Sequence, residues 1–173
     1  MASGPLVVDI TPLKRQPGTQ KPFKHSLPPP EGVVLVTANV TATQLHIDLQ
    51  LEVAGEELIA QGTINVEWNG PCRRCLEHQD GTTEITTREI FEKAPVEGET
   101  YPLDENDVDL EPMIREAVLL GLPVAPLCSI DCAGPDPSRF PTSVAADEPE
   151  RSEEERPADP RWAALSDLTF DDK

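Results

Sequence analysis

The chain holds four cysteines, arranged as two pairs, Cys72-Arg-Arg-Cys75 and Cys128-Ser-Ile-Asp-Cys132. A C-x2-C pair sets two sulfurs on one tight turn and a C-x3-C pair does so on a slightly wider loop, so each can share a tetrahedral metal at about 2.3 Å per sulfur. Soft thiolates without a carboxylate cluster favour zinc over magnesium or calcium. If Cys72, Cys75, Cys128 and Cys132 met at one ion its role would be structural, because four thiolates leave no open position for water. Fifty-two residues lie between Cys75 and Cys128, so such an ion would staple a long loop. Two other readings stay open: idle reduced thiols, and disulfide or redox chemistry. Met1–Ile10 does not have the charged-plus-apolar pattern of a secretory signal, which leads to the expectation of a cytoplasmic chain with reduced thiols. The first pair follows a strand-like run and precedes no helical pattern, unlike a thioredoxin-type pair. His78, just beyond Cys75, is either a substitute ligand or a solvated loop histidine.

Charge bounds the partners. The net charge is -18. Residues 84–116 carry three basic and eleven acidic residues, and residues 147–173 carry four and ten. Nucleic-acid binding begins with phosphate neutralisation by Lys and Arg, so the body of this chain repels RNA and attracts basic proteins. Two basic clusters are candidate RNA or partner contacts: Lys14, Arg15, Lys21 and Lys24 in the N-terminal segment, and Arg73 with Arg74 on the first cysteine turn. Each is equally a solvated charge cluster. His25, His46 and His78 have no neighbouring nucleophile motif or phosphate loop, so no catalytic residues are expected. No apolar run approaches the roughly 20 residues that cross a bilayer, so no membrane association is expected.

The elements that would position these residues are legible by period. Leu6–Ile10 reads as a short strand, and residues 14–30 as a basic, proline-rich arm. A β-branched run covers Val33–Val40. Leu45, Ile47, Leu49, Leu51 and Val53 alternate with polar residues, Ala54-Gly55-Glu56 supplies a turn, and Leu58, Ala60, Gly62, Ile64, Val66 and Trp68 alternate again, which predicts an antiparallel hairpin. The first cysteine pair then falls at a turn before a third extended segment, Thr82–Phe91. Residues 94–107 read as an acidic loop around a short strand at Tyr101. Asp109 is placed to cap a helix whose apolar stripe is Leu110, Met113, Ile114, Ala117 and Val118, ended by Gly121 and Pro123. An extended apolar run, residues 122–127, leads into Cys128.

The expected class is α+β: an antiparallel sheet, as meander or partial barrel, packed with one principal helix. The expected organisation is an N-terminal strand and arm (1–30), a core domain (31–133), a disordered acidic linker (134–158) and a short C-terminal helix and tail (159–173). The linker is too rich in Pro, Ser, Glu and Arg to bury a core. Trp162, Leu165 and Leu168 are the anchors of the terminal helix, which either docks back on the core or binds a partner.

The blocks Cys72-Arg-Arg-Cys75-Leu76, Asp107 to Cys128 with Glu111-Pro112-Met113-Ile114-Arg115-Glu116 and Gly121-Leu122-Pro123, Asp131-Cys132, and Asp159-Pro160-Arg161-Trp162 resemble, in order and spacing, the bacterial YceD family. The resemblance covers roughly residues 6–133 and the terminal helix. It implies a role in accumulation of the large-subunit (23S) ribosomal RNA, and an association with the gene of a zinc-ribbon ribosomal protein. Many members carry further cysteines after the second pair; this chain has Gly134-Pro135-Asp136-Pro137 there, so a site completed by later cysteines cannot form. The resemblance implies a non-catalytic factor of large ribosomal subunit biogenesis, in contact with a large-subunit ribosomal protein, a pre-ribosomal particle or rRNA. The alternative is an acidic chaperone for one basic ribosomal protein.

Overall fold

A computed structural model describes residues 4–16 and 18–139; the expected linker beyond residue 139 and the terminal helix lie outside the described residues. Its elements are strand β1 (Val7–Asp9), helix α1 (Thr11–Arg15), strands β2 (Gln20–Leu27), β3 (Val34–Leu35), β4 (Val40–Ala54), β5 (Glu57–Pro71), β6 (His78–Glu92), β7 (Tyr101–Pro102) and β8 (Asp107–Asp109), and helix α2 (Glu111–Gly121). The fold is α+β.

The expected hairpin is the centre of the molecule. β4 and β5 pair from Ala54↔Glu57 to Thr41↔Asn69. A two-residue turn joins them, with Gly55 at φ 69°, the sign that the first position of a type II′ turn requires. The alternating residues Leu45 to Val53 on β4 and Leu58, Ala60, Ile64 and Val66 on β5 are buried. One bulge interrupts the pairing between Ala42 and Gln44, so burial switches parity from Val40 and Ala42 to Leu45 and Ile47.

The third segment is longer than expected and pairs with β5 along its whole length, from Leu58↔Phe91 to Pro71↔His78. The sheet order is β2-β4-β5-β6-β7, with β3 also paired to β4 and β7 parallel to β6. β4, β5 and β6 form an antiparallel meander within a mixed sheet, and among the described strands β2 and β7 do not meet to close a barrel. β1 and β8 form a separate two-stranded pair. Helix α2 lays Met113, Ile114 and Val118 against the buried face. Asp109 accepts the backbone N–H of Glu111 at 2.9 Å, one residue before the cap position held by Leu110.

Two expectations need correction. The basic arm is structured: Lys14 and Arg15 lie on α1, and Lys21 and Lys24 on β2, which pairs with β4 through Phe23↔Leu49 and Lys24↔Asp48. Leu13 and Phe23 join the core cluster, and Pro22 is tolerated because β2 is an edge strand with one side free of ladder bonds. The run Val33–Val40 is not one strand. It folds on itself, Val34 opposite Thr41 and Leu35 opposite Val40, through a turn that holds Asn39 at φ 53°.

Candidate metal centre

The turn between β5 and β6 is closed by its own backbone. Cys72 N–H donates to Glu77 O at 2.8 Å and Leu76 N–H to Cys72 O at 2.9 Å, and Leu76 adopts φ 64°. The second pair arrives from the end of α2. Leu122 leaves the helix extended, and the run through Pro123 and Pro126 carries the chain to the first turn, where Arg73 N–H donates to Pro126 O at 2.8 Å.

This brings all four sulfurs within 4.8 Å of one another. Cys72 Sγ is 3.8 Å from Cys132 Sγ, and Cys75 Sγ is 3.8 Å from Cys128 Sγ. Four sulfurs at about 2.3 Å from a central tetrahedral ion are spaced about 3.8 Å apart, so the donor set and its spacing fit a metal ion. Neither close pair approaches the ~2.05 Å of a disulfide. His78 stands outside the group as the exposed first residue of β6, its Nε2 3.9 Å from Asp80.

The electrostatics of the four thiols are unequal. Cys72 is buried, and its thiol is held down at about 6 by the backbone N–H groups of Cys75 and Cys128, with Arg74 N–H adding to them against the opposing effect of burial. The Cys128 N–H stands 3.4 Å from Cys72 Sγ. Cys128 is pushed up to about 12 by the neighbouring sulfurs of Cys132, Cys72 and Cys75 and by burial. Cys75 is raised as well: the Glu77 N–H favours its thiolate, but burial and the sulfurs of Cys72 and Cys132 outweigh it. Backbone donors thus favour the Cys72 thiolate, while the neighbouring sulfurs and burial oppose ionisation of Cys75 and Cys128.

Arg73 and Arg74, expected as RNA or partner contacts, are bound to the second loop. Arg73 Nη1 donates to Val124 O at 3.3 Å; Arg74 Nη1 donates to Ile130 O at 2.7 Å and Cys132 O at 3.1 Å. The N-terminal basic residues do not join them. Lys14 Nζ donates to Glu105 O, Lys21 Nζ to Asp9 O at 3.0 Å, and Lys24 Nζ pairs with Asp48 at 2.7 Å, while Arg15 stands at the end of α1 in the field of Asp9.

A second constellation left no local trace in the sequence. Ser26 Oγ lies 2.9 Å from His46 Nδ1, and His46 Nε2 lies 3.1 Å from Glu67 Oε1. Strands β2, β4 and β5 place them side by side on the outer face of the sheet, from positions 20 and 21 residues apart.

Among the described residues, no helix is long and apolar enough to cross a membrane. No solved structure matches the chain. Uncharacterized proteins of Mycobacterium tuberculosis and Mycobacterium bovis are each 30% identical over 175 residues, spanning 96% of this chain and 82% of theirs. One from Mycobacterium leprae is 32% identical over 178 residues, spanning 97% and 79%. The family model described as large ribosomal RNA subunit accumulation protein YceD matches residues 60–169, which takes in both cysteine pairs. This chain belongs to the YceD family.

Proposed function

We propose that the protein is a non-catalytic factor that supports accumulation of the large-subunit ribosomal RNA, and that it works by holding a basic large-subunit protein rather than by wrapping RNA. The family match carries the first half of this reading. Charge supports the second: with a net charge of -18, a phosphate backbone is repelled and a basic protein attracted. The basic residues that sequence offers to RNA are partly engaged internally, Lys24 with Asp48 and Arg73 and Arg74 with the second cysteine loop.

The four-sulfur site takes zinc in this reading, with Cys72, Cys75, Cys128 and Cys132 as ligands and a structural role. Zinc there ties the chain after α2 to the β5–β6 turn. The Ser26–His46–Glu67 row has the order of a hydrolase relay but not its setting. His46 and Glu67 are 46% and 52% exposed, and β4 and β5 are each paired on both sides there, which commits their backbone N–H groups to ladders. The row lies open to solvent on the outer face, without the dry, preorganised setting in which an oxyanion is stabilised. His46→Ala is expected to leave the cellular role intact.

The deciding experiment is depletion of the protein with quantification of 23S against 16S RNA, paired with affinity purification with and without nuclease and zinc determination on the same sample. The expected result is a selective fall in 23S, one zinc per chain, and a basic ribosomal protein that stays bound after nuclease. An unchanged 23S to 16S ratio removes the ribosomal role. Recovery of RNA in the untreated sample with no ribosomal protein, lost in an Arg73→Ala/Arg74→Ala chain that still carries its zinc, replaces the protein-holding reading with direct RNA contact.

A further inference from the structure

We propose that the outer edge of β6 is a docking site for an extended, basic polypeptide segment, which adds to the sheet as a further strand. This identifies where the basic partner proposed above is held, and it rests on that reading for the partner's charge. Strand β6 is bonded to β5 throughout, but its other side meets a strand only at Phe91↔Tyr101 and Glu92↔Pro102. Among the described residues, no backbone hydrogen bond reaches that side from His78 to Ile90. Such an edge presents a row of unpaired N–H and C=O groups, which is a template for another strand.

The two edges of the sheet are built differently. β2 carries Lys21, Pro22 and Lys24, the residues that blunt an edge against pairing. From His78 to Ile90, β6 has neither Pro nor Lys, keeps its register with β5 without a bulge, and is rich in strand-forming Thr82, Thr83, Thr86 and Thr87. An edge free of Pro, Lys and bulges over this length, guarded chiefly by acidic side chains, resists a copy of itself and suits occupation by a basic strand.

Charge selects the occupant. β6 carries the acidic residues Asp80, Glu84, Glu89 and Glu92 and one arginine, Arg88. Where β7 takes over the edge, a cavity of roughly 210 Å³ opens between β6, residues 98–101 and α2. Glu89, Glu99 and Glu116 line it, beside the aliphatic surfaces of Ala117 and Leu120, the latter 79% exposed. A Lys or Arg of a paired strand would lay its stem on these aliphatic groups and its charge among the carboxylates. Main-chain pairing supplies the docking mode, and the acidic surround supplies the preference for a basic segment.

The test uses the full, zinc-loaded chain and two synthetic twelve-residue peptides, one alternating Lys with Val and one alternating Glu with Val. Amide hydrogen exchange followed by NMR is expected to show the Lys peptide slowing every second amide of β6 between Gln79 and Ile90, and the Glu peptide slowing none. The exposed substitutions Thr82→Lys and Thr86→Lys together should weaken the Lys peptide at least tenfold while leaving the free spectrum native. Glu99→Gln with Glu116→Gln should weaken it several-fold. Binding that leaves the β6 amides unchanged overturns the edge site while the basic-partner reading stands. Outward amides already slow in the free chain overturn it too, and sedimentation then assigns the cover to a second copy or to residues 140–173. If β6 is protected by the peptide but no basic protein co-purifies from cells, the edge stands and the partner reading falls.

Discussion

At the scale of single residues, the arginines of the first cysteine turn act through the backbone. Arg74 Nη1 bridges Ile130 O and Cys132 O, so it fixes the loop that presents Cys128 and Cys132. Removing an outer partner of a metal ligand set typically costs about 10–100-fold in affinity. On the zinc reading proposed above, Arg74→Ala is expected to weaken zinc by about that factor in a chelator competition, whereas Cys75→Ser would remove a ligand and abolish stoichiometric zinc. The cysteines were legible as a candidate set because their local spacing is that of metal ligands; the loop contacts of the arginines were not, because a guanidinium bonded to a carbonyl 56 or 58 residues away leaves no local pattern. The Ser26–His46–Glu67 row was hidden for the same reason. A further residue reports on the cavity beside β6. Tyr101 is the one tyrosine in the chain, and its phenol is pushed well above its ordinary value by burial first and then by the Glu116 carboxylate, to which its hydroxyl donates at 2.7 Å. Because the folded phenol loses its proton later than the unfolded one, its contribution to stability is complete below about pH 10 and is lost as pH rises through the folded value. An ultraviolet titration of the phenolate should show a late transition in the native chain and an earlier one in Glu116→Ala, still above the ordinary value because burial remains; equal transitions would refute the contact.

Among the elements, the β4–β5 hairpin is the most constrained. Gly62 sits opposite Leu49 at φ 152°, and a Cβ there would lie 2.1 Å from Asp48 O and 2.9 Å from Leu49 Cα. Those are backbone atoms of a paired strand, so neither can step aside. Gly62→Ala is expected to destabilise the fold by more than about 2 kcal/mol, measured by denaturant unfolding. At Gly121 the nearest atoms a Cβ would meet are Ile85 Cδ1 at 2.4 Å and Cγ1 at 2.6 Å, side-chain rather than backbone atoms, so Gly121→Ala should cost less than Gly62→Ala. The hairpin was legible because burial on one face imposes a strict period of two. β2 was not: only Phe23 of its eight residues is buried, so an edge strand with a solvated outer face leaves almost no alternation to read. The bulge after Ala42 hid the start of β4 in a similar way, by breaking the parity on which the period depends. α2 was readable from its apolar stripe and its terminal Gly121, although Asp109 stands one residue before the expected cap position.

For the whole molecule, the decisive feature is that the apolar core and the sulfur site are separate. The core cluster runs through β1, β2, β4, β5, α2 and Phe91 of β6 and includes none of the four cysteines, although Cys72 itself is buried. Zinc fingers that lack such a core unfold without metal; here the hairpin and α2 bury their apolar faces in a cluster that includes none of the sulfurs. Chelation is therefore expected to leave the far-ultraviolet circular dichroism and the exchange protection of β4 and β5 in place, while amides of the two cysteine loops, residues 72–77 and 122–132, become fast. Global unfolding on chelation would show instead that the sulfur site organises the sheet. The same chain carries a net charge of -18, so its compact state also opposes its own repulsion. Raising salt from about 10 mM to about 150 mM shortens the screening length from about 30 Å to about 8 Å, which should raise the midpoint of thermal unfolding and, at the same time, weaken capture of a basic peptide. Opposite responses of folding and binding to one variable separate self-repulsion from partner attraction. A midpoint insensitive to salt would mean that the acidic residues are spaced beyond each other's reach, and the charge would then have to be explained by the partner alone.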